Sequence, residues 1–259
     1  MAKLLEVSKL SKSFGGVKAV KRVCFDLDDG QLLAMIGPNG AGKSTCFNLI
    51  NGQLHPDEGS IKIYGREVIG LKPRHIWALG VGRTFQITAT FASMTVLENV
   101  QVALAAFHKK SGSIWRVLRN LFLEEALGLL HLVGLADHSN LVCGLLSYGD
   151  LKRLELAVAL TNQPRLLLMD EPTAGMEPAE RRRLMDLTSQ IVRNRNIGAL
   201  FVEHDMDVVF THADRIIVLD RGEKIAEGPP DQVRQNAGVR EVYLGGEAPQ
   251  PPGGAVLAR

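Results

Sequence analysis

A glycine-rich loop early in the chain has the composition of a phosphate-binding site. It reads Gly37-Pro38-Asn39-Gly40-Ala41-Gly42-Lys43-Ser44 and matches the pattern GxxxxGK[ST]. Glycines at these spacings let backbone N–H groups surround an anion, and a helix that follows points its positive end at the same anion. We expect Lys43 to reach the β- and γ-phosphates of ATP, Ser44 to ligate Mg²⁺, and Thr45 to add a second hydroxyl.

Three further polar side chains follow buried apolar runs. Asp170 and Glu171 come after residues 166–169, and His204 comes after residues 199–202. Ligands bind at the carboxyl ends of strands in open α/β sheets, so these groups are expected to face the loop. Asp170 is expected to ligate Mg²⁺ directly or to bind one of its ligands. Glu171 is expected to orient or deprotonate the attacking water, and His204 to contact the γ-phosphate or hold the water and Glu171 in place. Without the loop, a solvated turn and a structural histidine are the competing interpretations.

Two other positions leave alternatives open. Gln86 follows a candidate strand at residues 81–85, where its amide could bind Mg²⁺ or water, although spacing alone favours a surface glutamine. Ser147 and Gly149 precede a predicted helix over 151–160 and form a second potential anion site. Asp150 at the same end is equally explained as an ordinary N-cap.

An α/β framework must position these groups. The apolar runs at Leu32–Ile36, 166–169 and 199–202 predict strands buried on both faces, with a helix over about 44–51 behind the loop. Residues 216–219 and 224–227 predict a hairpin. Within the first 30 residues we expect short strands, because Val23, Phe25 and Leu27 alternate with polar residues. Ile61 and Ile63 suggest a further antiparallel strand.

Residues from about 88 to 160 are predicted to form an inserted helical lobe. Thr95 and Glu98 fit a capping box. Further apolar residues recur at helical spacing: Ile114, Val117, Leu118, Leu121 and Phe122. The predicted organisation is therefore an α/β core over 1–87 and 161–244, a helical subdomain over about 88–160, and a Gly/Pro-rich, disordered tail over 245–259.

Bulk composition excludes several classes of protein. The net charge of the 259 residues is only +2, which predicts no nucleic-acid partner. Cys24, Cys46 and Cys143 form no metal-binding spacing, and we interpret them as apolar fillers in a reducing compartment. Glu6 interrupts the stretch where a signal peptide needs apolar residues, and no run approaches the roughly 20 residues that span a bilayer. We therefore expect a soluble chain that joins a membrane only through other chains.

The order of these motifs resembles that of an ATP-binding-cassette (ABC) subunit, over about residues 4–244. The resemblance implies a P-loop (RecA-like) α/β core with a mostly parallel sheet, an antiparallel β subdomain and a helical subdomain. It makes residues 37–44 the Walker A loop, Gln86 the Q-loop, residues 146–150 the signature, residues 166–171 the Walker B strand with its catalytic Glu171, residues 174–177 the D-loop and His204 the switch histidine. Phe14 matches the aromatic that stacks on adenine in this family.

The family packs two cassettes head to tail, so the resemblance implies that Ser147 and Gly149 close over the nucleotide of a second ATP-binding subunit, identical or paralogous. Strings such as residues 83–86, 94–99 and 202–206 are similar to those of branched-chain amino-acid importer ATPases, in particular the longer of two paired subunits. Urea and amide importers share much of this pattern. Tyr148, Asp150 and Glu177 stand where the family usually has Gly, Gln, and Asp or Asn.

The resemblance implies an ATPase on the cytoplasmic face of the plasma (inner) membrane. Its partners would be transmembrane permease subunits and, indirectly, a periplasmic solute-binding protein. Two alternatives remain at this stage, namely the ATPase of a lipid-extracting exporter and an ATP-dependent switch without transport. A kinase or GTPase is excluded because no base for a substrate hydroxyl and no guanine-specific motif is apparent.

Overall fold

The computed structural model describes residues 3–84, 90–108 and 121–244. Gln86, the helical spacing at Ile114, Val117 and Leu118, and the predicted tail over 245–259 lie outside the described residues. The strands are β1 Leu5–Phe14, β2 Val17–Leu27, β3 Leu32–Ile36, β4 Glu58–Ile63, β5 Arg66–Glu67, β6 Val81–Arg83, β7 Leu166–Asp170, β8 Gly198–Val202, β9 Arg215–Asp220 and β10 Glu223–Gly228. The α-helices in the described ranges are α1 Lys43–Ile50, α2 Pro73–Ala78, α3 Val96–Phe107, α4 Leu123–Leu132, α5 Tyr148–Ala159, α6 Pro178–Asn194, α7 Met206–His212, α8 Pro230–Gln235 and α9 Ala237–Leu244.

A six-stranded sheet with the order β10-β9-β3-β8-β7-β6 positions the predicted site. Its strands run parallel except β10, which pairs antiparallel with β9. Every residue of β3, β7 and β8 is buried, which confirms the prediction from their continuous apolar runs. The predicted hairpin at β9 and β10 is also confirmed. In addition, β9 pairs in parallel with β3, which joins the hairpin to the core sheet.

Successive residues of β3 point into two separate hydrophobic cores. Leu32, Ala34 and Ile36 contribute to a core that includes residues of α3 to α7. Leu33 and Met35 contribute to the other, which includes residues of α1, β1, β2 and β4. This alternation of side chains along a strand places helices on one face of the sheet, and α1 with the antiparallel strands on the other.

A second, antiparallel sheet has the order β2-β1-β4-β5. The expectation of short strands here is wrong, because β1 and β2 span 10 and 11 residues. Register shifts along their pairing accommodate the local irregularities, so the ladder continues past them. Cys24 on β2 is exposed, so the interpretation as an apolar filler is wrong for this cysteine and confirmed for the buried Cys46 and Cys143.

The helical segment confirms one terminus and corrects two others. The Glu98 N–H donates to Thr95 Oγ1 at 3.1 Å and the Thr95 N–H donates to Glu98 Oε2 at 2.8 Å, which is the predicted capping box. Phe122 does not continue a helix but precedes α4 in a left-handed conformation, with φ +54°. The N-cap of α5 is Ser147, not Asp150, because the helix begins at Tyr148 and Asp150 lies in its first turn. The boundaries of the helical subdomain remain a prediction.

Candidate nucleotide site

The loop between β3 and α1 requires glycine for steric reasons. A Cβ atom at Gly37 would lie 2.2 Å from the Leu219 carbonyl oxygen, and one at Gly42 would lie 2.3 Å from the Ala19 carbonyl oxygen. Gly42 also has φ +102°, a conformation that other residues rarely adopt. It is the N-cap of α1, and no side chain of the described residues caps this helix. The first N–H groups of α1 are therefore available to an anion.

Lys43 is buried and folds back on the loop. Its Nζ donates to the Gly37 carbonyl oxygen at 2.7 Å and to the Pro38 carbonyl oxygen at 3.1 Å. Burial lowers the pKa of Lys43, and the negative charges of Glu171 and Asp170 partly oppose this effect. The lysine charge thus lies within electrostatic range of both acids, although their sequence positions differ by more than a hundred residues.

The two acids at the end of β7 differ in their environments. Asp170 is only 8% exposed, and burial together with the neighbouring Glu171 charge raises its pKa. Glu171 has left-handed backbone, with φ +50°, a conformation that costs an L-residue roughly 1–2 kcal/mol. Its N–H donates to the Val202 carbonyl oxygen at 2.9 Å, which holds it against the neighbouring strand β8. Strained backbone of this kind is often found at functional positions.

His204 lies beside Glu171, because β7 and β8 are neighbours in the sheet. The His204 Nε2 atom is 3.0 Å from Glu171 Oε1, and the histidine side chain is 45% exposed. One edge of the sheet, where β3 ends and the phosphate loop begins, therefore carries Lys43, Asp170, Glu171 and His204. Asp170 interacts electrostatically with Glu171, His204 and Lys43 at this edge.

Glu203 is a buried residue of this edge that the sequence reasoning missed. Its Oε1 accepts hydrogen bonds from the Thr173 N–H at 2.8 Å and from Thr173 Oγ1 at 2.7 Å. Its Oε2 accepts one from the His204 N–H at 3.2 Å. Glu203 therefore ties the turn after β7 to the segment that carries His204. The available signal was an acid directly after a buried strand, next to a histidine.

The signature segment lies beside the turn that follows β7. A Cβ at Gly149 would be 3.4 Å from Glu180 Oε1, and one at Gly175 would be 3.4 Å from the Tyr148 ring. Ser147 is exposed and caps α5, accepting from the Asp150 N–H at 3.1 Å and donating to Asp150 Oδ2 at 2.9 Å. Asp150 thus takes part in the cap, while Tyr148 packs on the D-loop.

Phe14 lies at the end of β1, on the antiparallel sheet, and is 46% exposed. The Lys12 Nζ lies 5.5 Å from the centroid of its ring. An exposed aromatic ring at the end of a strand is available to stack on a planar ligand.

Comparisons with known proteins agree with this arrangement. The model of the ABC transporter family matches residues 20–174, and that of the branched-chain amino acid ATP-binding cassette transporter family matches residues 223–249. The chain is 39% identical over 249 residues to the high-affinity branched-chain amino acid transport ATP-binding protein LivG of Salmonella typhimurium, covering 93% of this chain and 98% of that protein. It is also 39% identical over 251 residues to BraF of Pseudomonas aeruginosa, which has a corresponding name, with the same coverage.

Solved structures show the same fold. The ADP conformation of MJ1267, an ATP-binding cassette of an ABC transporter, matches with a TM-score of 0.83 and 28% identity, covering 95% of this chain and 100% of that one. A dimeric, post-hydrolysis structure of the cassette MJ0796 bound to ADP and Pi matches with a TM-score of 0.73 and 27% identity, covering 87% and 98%.

The chain therefore belongs to the ABC transporter family, as an ATP-binding subunit. It is an ATPase that energises transport, and the resemblance in its motifs and the predicted fold class are confirmed. Within the part of the chain that the structure describes, no helix is long and apolar enough to cross a membrane.

Proposed function

We propose that the chain hydrolyses ATP at the sheet edge formed by the ends of β3, β7 and β8, and that this drives import of branched-chain or other hydrophobic amino acids, or similar small amides. The observation that carries the site assignment is the 3.0 Å contact between His204 and Glu171, at the edge that also holds the phosphate loop. The names and coverage of the relatives support the cargo class.

ATP binding rests on the loop, α1 and one aromatic ring. The backbone of residues 37–42 and the N-terminus of α1 surround the phosphates, with hydroxyls from Ser44 and Thr45. Lys43 exchanges its two backbone carbonyl acceptors for phosphate oxygens, which its position within the loop allows. Phe14 stacks on the adenine ring.

The residues at this edge fit Mg²⁺. The raised pKa of Asp170 reflects burial next to a second carboxylate, a situation that a divalent cation relieves by adding positive charge. Asp170 and the Ser44 hydroxyl would hold the ion, with Gln86 as a third candidate ligand outside the described residues. Mg²⁺ prefers few protein ligands together with water and phosphate oxygens, and when bound it neutralises phosphate charge.

Glu171 and His204 act on the attacking water. Glu171 orients the water or accepts its proton as the general base. His204 holds the carboxylate through the Nε2 contact and is close enough to this edge to reach the γ-phosphate. Gln86 remains a candidate for holding the water from the opposite side.

The second half of each site comes from another ATP-binding subunit, identical or paralogous. Ser147 is exposed at the N-terminus of α5 and Gly149 is buried in its first turn. Together they form the contact to the γ-phosphate bound to that subunit, and the dimeric MJ0796 structure supports such a pairing. Transmembrane permease subunits bind the dimer at the cytoplasmic face of the membrane, and a periplasmic solute-binding protein delivers the cargo. Differential binding of ATP and ADP opens and closes the dimer.

Steady-state ATP hydrolysis by Glu171→Gln and His204→Ala variants tests the site. We expect Glu171→Gln to lower kcat by about 10²–10⁴-fold while ATP still binds, because only the general base is lost. Glu58→Gln, on the exposed part of β4, is the matched control and keeps the wild-type rate. A Glu171→Gln enzyme with unchanged kcat would falsify the assignment.

Uptake of labelled leucine into cells tests the cargo. Uptake that depends on the chain, and that Lys43→Ala abolishes, supports import. A lipid-extraction defect with normal leucine uptake would instead favour the exporter.

A further inference from the structure

Arg181 connects two segments of the proposed catalytic edge. In the first turn of α6, its Nε donates to the Met176 carbonyl oxygen at 2.6 Å, within the D-loop that follows β7. Its Nη1 donates to Asp205 Oδ2 at 2.5 Å, and Asp205 directly follows His204. One guanidinium therefore joins the turn after β7, which begins with Glu171, to the turn after β8, which carries His204.

Asp205 is itself held rigidly. Its Oδ1 accepts the Val208 N–H at 3.1 Å and caps α7. Burial opposes ionisation of this carboxyl, but the hydrogen bond from Val208 and the Arg181 guanidinium outweigh it and lower the pKa of Asp205. The acceptor for Arg181 is thus a fixed carboxylate, and a charge-assisted hydrogen bond to it is stronger than one between neutral groups.

His204 is consequently anchored through the residues on both sides of it. Glu203 ties the chain before it to Thr173, and Asp205 ties the chain after it to Arg181 and α7. The imidazole itself is half exposed, so these flanking anchors, rather than packing around the ring, limit where Nε2 lies relative to Glu171.

We propose that Arg181 is a positioning residue for ATP hydrolysis, which sets the Glu171–His204 geometry and transmits the position of the D-loop to His204. This rests on the proposed roles of Glu171 and His204. A displacement of Met176 moves the guanidinium and with it Asp205. Arg181 itself touches neither ATP nor the reacting atoms.

Arginine is required at position 181 because two nitrogens of its side chain donate to two different acceptors, the Met176 carbonyl and the Asp205 carboxylate. Nε and Nη1 lie at fixed positions on one planar group, whereas a lysine offers a single ammonium group. Arg183 on the same helix is exposed and carries the same charge, so it provides a matched control for substitutions of Arg181.

The test is the steady-state kinetics of ATP hydrolysis by the full chain. We expect Arg181→Met to lower kcat by about tenfold with the KM for ATP unchanged, because misplacement of a catalytic group affects the chemical step and not binding. Arg181→Lys recovers part of the rate, and Arg183→Met leaves kcat and KM unchanged. Asp205→Asn, which keeps an oxygen to cap α7, lowers kcat as Arg181→Met does, and the double variant loses no more than either single one.

Other outcomes overturn the proposal. These are an unchanged kcat in Arg181→Met, a raised KM with normal kcat, or losses that multiply in the double variant. If Arg181→Met does not fold, Asp205→Asn decides by its kcat alone. Unchanged hydrolysis by Glu171→Gln is a separate result, because it overturns the proposed roles of the catalytic edge whatever Arg181 does.

Discussion

The phosphate-loop edge and the signature helix differ in how far their polar groups are already satisfied. At the edge, burial raises the pKa of Asp170 and lowers that of Lys43, and Glu171 has strained backbone. At the signature, the Ser147 hydroxyl both accepts from and donates to Asp150, and thereby caps α5. The proposed binding of phosphate and Mg²⁺ would therefore relieve unfavourable burial of charge at the edge. At the signature, the Ser147 hydroxyl already has a donor and an acceptor within α5.

The largest expected difference between the two regions comes from substitutions of Ser147, which change stability and the ATPase rate in different ways. Ser147→Ala removes the cap, which costs about 1 kcal/mol of stability, as well as the proposed γ-phosphate contact. Ser147→Asn keeps a capping oxygen, so its stability stays near that of the wild type, but its side chain no longer matches the phosphate contact. Both variants are expected to lose roughly 10²-fold in kcat. Urea denaturation and ATPase assays measure the two effects separately.

A normal ATPase rate in the Ser147→Asn variant would show that Ser147 serves only as a cap. The control is Thr95→Ser at the start of α3, which keeps the hydroxyl that caps that helix.

A smaller effect, on thermal stability, is expected when the negative charge of Asp170 is removed. The pKa of Asp170 is raised in the folded state above its ordinary value of 3.8. At pH values above 3.8 the folded chain therefore binds more protons at this residue than the unfolded chain does. As a result, the contribution of Asp170 to the free energy of unfolding falls as the pH rises through this range. Asp170→Asn should raise the Tm of the nucleotide-free chain by roughly 2–4 °C at neutral pH, with the gain vanishing at low pH. Scanning calorimetry across pH measures it.

Asp137→Asn, at an exposed acid, serves as the control for Asp170→Asn and should leave Tm unchanged. A lower Tm in Asp170→Asn at neutral pH would contradict the view that the edge stores unfavourable charge. With Mg²⁺ and ATP present, the order of the Tm values of the wild type and Asp170→Asn should reverse, because Asp170 is the proposed ligand of the ion.

The smallest effect concerns Cys24 and Cys46, which precede and follow the phosphate loop in the sequence. Burial raises the pKa of Cys46 in α1 to about 12, whereas Cys24 on β2 is exposed. Iodoacetamide at neutral pH should therefore label Cys24 and spare Cys46, since the thiolate is the reactive form. Peptide mass spectrometry reads this directly. Equal labelling of both thiols would mean that α1 opens on the time scale of the reaction. The Cys24→Ser variant, which lacks the exposed thiol, is the control for this labelling.

Much of the fold could be predicted because its signals are local. Continuous apolar runs located β3, β7 and β8, and the Thr95–Glu98 spacing located the start of α3. The differences from the predictions lie at the starts of two helices. Phe122 continued an apolar spacing and yet lies before α4 with φ +54°, and the N-cap of α5 is three residues earlier than Asp150.

The phosphate loop, the acids at the end of β7 and the histidine after β8 were determined by the sequence itself, since glycine spacing and strand ends constrain the backbone over a few residues. Only the tertiary structure decided which side chains touch. The Glu171–His204 contact, the buried Glu203 that binds Thr173, and the Arg181 bridge between Met176 and Asp205 join different segments of the chain. Such contacts depend on the parallel pairing of β7 with β8, a long-range arrangement that residue spacing does not encode.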